Sequence, residues 1–203
     1  MKKIILSVAA VFAFGFANAQ DANSGSAGLA KGDLYLSGTL NYATEKTGDF
    51  KSDMFTVAPG LGYMLTENIA FEGSLGYVSG TSNEFTGGNF VEVKNSGFGI
   101  NAGVKYFWTP ANNFSLSVGG NISYASVKTE VDAFGSDFTS KIIGVNVPVG
   151  LHYFVSNNIA LTSTWGGLGY TSNDNGGDGA DKTNSFEVGL DLSAITFGMI
   201  YKL

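Results

Sequence analysis

Residues 98–124 contain two runs that alternate between large apolar and small residues, and this pattern constrains the fold more than any other feature of the chain. The large residues of one parity are Phe98, Ile100, Val104, Tyr106 and Trp108, followed by Phe114, Leu116, Val118, Ile122 and Tyr124. Glycine, serine and asparagine occupy most of the alternate positions. Because successive side chains of a β-strand point to opposite faces, the pattern predicts a two-stranded hairpin with a turn at residues 109–113.

The difference in residue size between the two faces predicts that this hairpin lies in a membrane. Glycine, serine and asparagine are too small to fill a core, so the large side chains face the surroundings, which must be lipid rather than water. Aromatic residues near the strand ends fit the two girdles at the membrane interfaces. The predicted girdle residues are Tyr42, Tyr63, Tyr77, Tyr106, Trp108, Phe114, Tyr124, Tyr153, Trp165 and Tyr201.

Residues 1–19 have the three parts of a secretory signal peptide. Two lysines precede an apolar run over residues 4–16, and an Ala-Asn-Ala sequence follows it. Cleavage after Ala19 would leave a mature chain in which residues 20–31 form a flexible periplasmic lead-in and residues 32–203 form the membrane domain.

Composition excludes several classes of protein. The formal charge is -6, or -8 once the two lysines of the signal peptide are removed, and the chain has no arginine, so we expect no nucleic-acid partner. It also has no cysteine, so an exported chain of this length has no disulfides to hold it. Beyond residue 20 no apolar run is long enough to cross a membrane as a helix, and strands must do so instead.

The alternating segments number eight, and their connections alternate between short and long. The short ones are residues 65–68, 109–113 and 155–158, and the long ones are residues 44–53, 79–95, 126–137 and 171–184. This asymmetry predicts an all-β fold, an eight-stranded antiparallel up-and-down transmembrane β-barrel with short periplasmic turns and long acidic external loops.

Four interruptions of the alternation predict irregular strands. Pro59 and Pro148 each remove a hydrogen-bond donor inside a strand, so we expect local bulges there. The parity slips at Gly166 and Gly167, which predicts a bulge near the outer rim. A further parity change near residues 193–194 requires either another bulge or a strand that extends beyond the membrane.

On this pattern the mature chain resembles the small eight-stranded outer-membrane β-barrel family, of the OmpX and OmpA transmembrane-domain type. Its last residues resemble the family's polar-x-Gly-x-x-hydrophobic-x-hydrophobic assembly signal, in Thr196, Gly198, Tyr201 and Leu203, where phenylalanine is commoner at the last position. The resemblance implies insertion by the barrel-assembly machinery and a location in the bacterial outer membrane, with both termini in the periplasm. It also implies contact with outer-membrane lipid and lipopolysaccharide, but it names no partner for the loops.

Five ionisable residues are predicted to lie in the lumen near its periplasmic end: Asp33, Glu72, Lys105, His152 and Lys202. Glu72 and Lys105 lie on neighbouring strands, as do Asp33 and Lys202 once the barrel closes, so two ion pairs are expected. They can act as a structural plug, since an eight-stranded barrel is only wide enough for side chains. Alternatively they can act as a charge-sensitive gate.

These observations favour a non-enzymatic membrane scaffold whose acidic loops take part in surface interactions or envelope integrity. A narrow passive channel with a charge-gated lumen is the main alternative. A lipid-modifying enzyme is less favoured, because His152 is the only histidine and faces the lumen far from its outer mouth. A soluble lipocalin-type barrel would require the large side chains to point inward.

No cofactor or metal is predicted. Carboxylates and glycines in residues 173–181 resemble a calcium-binding loop, but position twelve counted from Asp174 is Ser185 instead of glutamate. The composition of a flexible loop explains them equally well.

Overall fold

The computed structural model describes residues 27–86, 89–131, 136–177, 179–189 and 195–203. The predicted signal peptide and residues 20–26 of the lead-in lie outside this part of the chain. The described residues form nine strands and no helix: β1 (Leu34–Thr47), β2 (Phe50–Met64), β3 (Ile69–Thr86), β4 (Asn89–Trp108), β5 (Phe114–Val131), β6 (Ser136–Phe154), β7 (Ile159–Asn173), β8 (Thr183–Val188) and β9 (Thr196–Lys202).

The strands close into the predicted eight-stranded antiparallel barrel. Strands β1 to β7 each pair with the next strand along the chain, and β9 closes the sheet between β1 and β7. Strand β8 pairs with the later part of β7, so β8 and β9 share the eighth position. The parity change expected near residues 193–194 lies outside the described residues.

The large side chains of the alternating runs point outward, as predicted for a membrane barrel. Val104 is 50% exposed and Leu116 is 41% exposed, although each is paired with a neighbouring strand on both sides. This orientation contradicts the lipocalin-type alternative, which needs these side chains at the centre. The described residues also contain no helix of sufficient length and apolar character to span a membrane.

The two ends of the barrel differ. At one end, which we call the terminal end, lie Leu34, Lys202 and the three short turns. At the other, the hairpin end, the strands extend far beyond the length needed to cross a bilayer: β3 to β6 have 18 to 20 residues, whereas about 9–11 suffice.

The prediction of long loops at the hairpin end is therefore wrong for most of residues 44–53, 79–95 and 126–137, whereas most of the described part of residues 171–184 does lie outside the strands. Strands β1 and β2 are joined by a turn at residues 48–49, and β3 and β4 remain paired out to Thr86 and Asn89. The alternation of large and small residues stops where the strands leave the membrane, because lipid no longer covers one face. The backbones remain paired beyond that point, so the polar residues there were wrongly interpreted as loops.

The bulge predictions had mixed outcomes. Pro59 causes no register shift, because the pairs Val57 with Tyr77 and Gly60 with Ser74 keep one register. Proline has no backbone N–H group, so the pairing of β2 with β3 is interrupted at Pro59, but neither strand has an inserted residue. The prediction of a bulge at Pro59 is therefore wrong. Opposite Pro148 the register does shift. The extra residue is in β7, at residues 166–167, where a bulge was predicted. The bulge was expected near the outer rim, but it lies within the barrel wall, opposite Pro148.

An apolar core fills the lumen at the terminal end. Its buried side chains come from both the strands and the lead-in: Leu29, Tyr35, Met64, Ala70, Phe107, Phe154, Ala160 and Ile200. Residues 27–31 thus pack against the barrel, contrary to the expectation of a flexible lead-in for this stretch. The reason is that Leu29 finds an apolar site at the mouth of the lumen.

Candidate functional site

The centre of the candidate site is a charge pair inside the lumen, next to the apolar core. The Lys105 ammonium lies 2.7 Å from Glu72 Oε2, and the Tyr35 hydroxyl donates a hydrogen bond of 2.6 Å to Glu72 Oε1. Strands β4, β3 and β1 place these groups through their inward parity. Both carboxylate oxygens are therefore satisfied, which offsets the cost of burying the charge.

Tyr35 reaches Glu72 only because Gly62 lies opposite it on β2. A methyl group at Gly62 would overlap the Tyr35 ring. The sequence signal for this arrangement was the alternation itself, since Tyr35 has inward parity. Nothing in the sequence indicated that its hydroxyl would join the charge pair.

We expect Gly62→Ala to displace the Tyr35 ring and to lower the free energy of unfolding by about 1–3 kcal/mol, the usual cost of overpacking. The measurement is urea-induced unfolding of the protein in lipid vesicles, followed by its gel mobility. Gly120→Ala is the matched control, because nothing lies within 4 Å of the added methyl there. Equal losses in the two variants would contradict the role of Gly62.

His152 lies beside the charge pair without joining it. Its Nε2 is 2.8 Å from Ser117 Oγ, its ring packs 4.9 Å from that of Phe107, and the side chain is only 2% exposed. Its Nδ1 is buried without a hydrogen-bond partner among the described residues. A catalytic histidine is usually oriented by a third group, and no such group contacts Nδ1 among the described residues.

Asp33 and Lys202 form a separate layer at the mouth of the terminal end. The Lys202 ammonium is 3.9 Å from Asp33 Oδ2 but only 2.9 Å from the carbonyl oxygen of Gly28, to which it donates a hydrogen bond. Asp33 Oδ2 accepts a hydrogen bond from the amide of Ala30. The five predicted lumen residues thus divide into two layers with different partners.

A small cavity adjoins the charge pair on its hairpin side. Its volume is about 150 Å³, enough for about five waters at 30 Å³ each. Most of its lining is polar: Ser37, Thr39, Glu72, Ser74, Asn101, Lys105, His152, Thr162 and Thr164. This polar chamber lies between the charge pair and the open, small-residue part of the lumen.

The predicted aromatic girdle residues do not share one environment. The exposed ones are Tyr42, Tyr63, Tyr106, Trp108, Phe114, Tyr124 and Tyr153. Tyr77 and Trp165 are half-buried, and the Tyr77 ring lies 4.9 Å from that of Phe98. Tyr201, only 7% exposed, is covered by protein.

The four assembly-signal positions lie on or next to β9. Thr196 pairs with Thr164 of β7, and the amide of Leu203 donates to the carbonyl oxygen of Leu34. A Cβ atom at Gly198 would lie 2.7 Å from the Gly38 carbonyl oxygen of the paired strand β1, so this close approach of the two backbones requires glycine. Their role in assembly stays a prediction.

At the hairpin end, opposite charges pair both between neighbouring strands and within a strand. The Lys128 ammonium lies 2.7 Å from Asp137 and 2.9 Å from Glu130. Its hydrogen bond to Asp137 and its positive charge hold the pKa of that carboxyl below its usual range. Lys94 and Glu92 form a similar exposed pair. Such exposed pairs contribute little to stability, but they neutralise part of the acidic surface.

A comparison of the sequence with protein-family profiles identifies the family of the chain. Residues 6–193 match the profile of the outer membrane protein beta-barrel domain. The chain belongs to this family. Membership supports a bacterial outer-membrane location. No curated protein matches the chain in sequence.

Comparison with solved structures finds similar outer-membrane proteins at low sequence identity. OprG from Pseudomonas aeruginosa is 14% identical, with a TM-score of 0.54 over 87% of this chain and 98% of OprG. Neisserial surface protein A is 18% identical, with a TM-score of 0.47 over 84% of this chain and 97% of that protein. The N-terminal domain of OprF from Pseudomonas aeruginosa is 11% identical, with a TM-score of 0.49 over 86% and 100%.

Proposed function

We propose that the protein is a non-enzymatic outer-membrane scaffold that presents long β-hairpins at the cell surface. The observation that carries this proposal is the filled terminal end of the lumen, where an apolar core lies directly below the charge pair. A barrel that is closed by packed side chains serves as an anchor. The part of it suited to contact other molecules is then the set of projecting strands.

The hairpins have the length and the surface for such contacts. From Tyr77 at the predicted girdle, β3 continues for eight residues to Phe85, a reach of about 26 Å at 3.3 Å per residue. There the Phe85 and Phe90 rings meet edge to face, 5.3 Å apart, and both are exposed. Lipopolysaccharide and other surfaces are the proposed partners of these hairpins, and the assembly machinery is the proposed partner of β9.

The proposal places the hairpin end outside the cell and the terminal end in the periplasm. Because the chain has no cysteine, a single introduced thiol reports its own position. We expect Asp49→Cys, in the exposed β1–β2 turn, to react with an impermeant maleimide on intact cells. The matched variant Glu67→Cys, in an exposed short turn, should react only after the outer membrane is permeabilised. The opposite pattern would reverse the proposed orientation.

A narrow channel is the second candidate, because the polar chamber of about 150 Å³ can hold water beside the charge pair. The apolar core below the pair interrupts any such path toward the terminal end. Planar-bilayer recordings separate the two candidates. Silence across pH and voltage supports the scaffold, whereas steady conductance that is altered by Glu72→Ala supports the channel.

A further inference from the structure

Residues 27–31, here called the N-terminal strap, cross the mouth of the barrel at its terminal end. The strap leaves β1 through a turn at residues 30–33, in which the Asp33 amide donates to the Ala30 carbonyl oxygen. It then reaches the β4–β5 turn, where the amide of Leu29 donates to the Pro110 carbonyl oxygen at 2.7 Å. Since β1 and β5 are four strands apart in an eight-stranded barrel, the strap spans the full width of the mouth.

The burial of the barrel rim shows that the strap acts as a cover. Met64 and Phe154 are the last residues of β2 and β6, and such positions at an open mouth would be exposed to solvent. Both are almost fully buried, in one cluster with Leu29, which is itself only 2% exposed. The strap therefore places one leucine side chain into an apolar socket made by the rim.

Gly28 lets the strap approach the opposite turn closely. Its φ of +110° is disfavoured for other residues, and a Cβ there would lie 2.5 Å from the Pro110 oxygen. On the other side of the mouth, the Lys202 ammonium of β9 donates to the Gly28 carbonyl oxygen at 2.9 Å. The strap is thus tied to the two opposite sides of the rim.

No attachment of the strap is a backbone pairing with a strand of the barrel sheet. Residues 27–31 pair with no strand, and the chain has no cysteine to bond them covalently. Their release would break a few hydrogen bonds and remove one leucine from its socket, while all strand pairs stay intact. Segments of this kind open locally at a lower free-energy cost than the whole fold.

We propose that the N-terminal strap is a removable stopper, and that it, rather than the Glu72–Lys105 pair, seals the lumen against solvent at the terminal end. In the closed state Leu29 covers the apolar core at the terminal end of the lumen. The charge pair lies beyond this core, toward the hairpin end. When the strap leaves, water reaches the apolar core from the terminal end. The barrel wall does not change.

Thiol labelling in detergent micelles tests the stopper directly. Ser115 is the second residue of β5 and is 1% exposed, so Ser115→Cys places a single buried thiol at the terminal end, close to the β4–β5 turn that the strap contacts. We expect Gly28→Val to raise the rate at which this thiol reacts with a water-soluble maleimide by about ten- to hundredfold. The reason is that burial of Leu29 no longer stabilises the closed position of the strap, so the open state is more populated. Leu29→Ser removes the apolar contact without altering Gly28 and should act in the same direction.

Three controls separate a local opening from other effects. Ala30→Val adds bulk to an exposed position of the same strap and should leave the rate unchanged. Ser140→Cys, buried at the hairpin end, should react equally slowly with and without Gly28→Val, because the rest of the barrel stays folded. The double variant Glu72→Gln/Lys105→Met should not accelerate labelling at Ser115→Cys.

Two results would overturn the proposal. If Gly28→Val and Leu29→Ser leave the labelling rate at Ser115→Cys unchanged in protein that shows folded gel mobility, the strap does not seal the lumen. If the double variant of the charge pair accelerates labelling as much as Gly28→Val does, the seal belongs to the pair. Neither result bears on the surface role proposed for the hairpins.

Discussion

Replacing Val104 with arginine is expected to lower the free energy of unfolding by about 2–4 kcal/mol, the cost of a cation at the lipid-facing midplane of a barrel. Val104 lies on β4 between the predicted girdle residue Trp108 and the Tyr77–Phe98 ring pair. Its side chain points outward and is half exposed, so in the membrane it contacts acyl chains. Urea-induced unfolding from lipid vesicles measures the loss.

Asn101→Arg is the matched variant on the opposite face of the same strand. Asn101 lines the polar chamber that also contains Glu72, so the added cation finds water and a carboxylate instead of lipid. We expect a loss of less than about 1 kcal/mol, because lumen substitutions leave the lipid-facing surface intact. Equal losses at Val104 and Asn101 would contradict the assignment of the two faces.

The barrel itself was predictable from the sequence because lipid imposes a pattern that the chain displays directly. Each membrane-spanning strand carries large residues at most of its outward positions, so strand number and facing could be predicted from parity alone. The same rule placed Glu72 and Lys105 on one face of neighbouring strands, and the structure brings their charged atoms together. Parity is thus a reliable guide wherever the two faces meet different solvents.

The sequence was a poor guide where that contrast ends. Beyond the membrane both faces of β3 and β4 meet water, so their polar residues were interpreted as loops although the backbones stay paired. At the terminal end the inward face becomes apolar at Met64 and Phe107, one step beyond the runs of small residues. Extending the parity by one residue pair would have revealed this core.

The strap was missed for a different reason. Its contacts with Pro110 and Lys202 join residues far apart in the sequence, and its composition of small residues is typical of a flexible segment. One leucine in a polar stretch carries no periodic signal. Only the three-dimensional closure of the rim shows what that leucine covers.

Lys105→Met is expected to destabilise the barrel by about 3–5 kcal/mol, because it leaves the Glu72 carboxylate buried without a counter-charge. The Tyr35 hydroxyl still donates one hydrogen bond to Glu72, but it carries no positive charge. The loss is measured by urea-induced unfolding from lipid vesicles at neutral pH, as the change in unfolding free energy relative to the unsubstituted protein.

The double variant Glu72→Gln/Lys105→Met separates the cost of an unpaired charge from the value of the pair. It removes both charges and keeps similar side-chain volumes, so we expect most of the stability to return, as for other buried pairs that are replaced together. Stability that stays as low as in Lys105→Met would mean that the pair itself holds the strands β3 and β4 in place. Recovery instead identifies the charge pair as a neutralised filling of the lumen, which is the behaviour a structural plug requires.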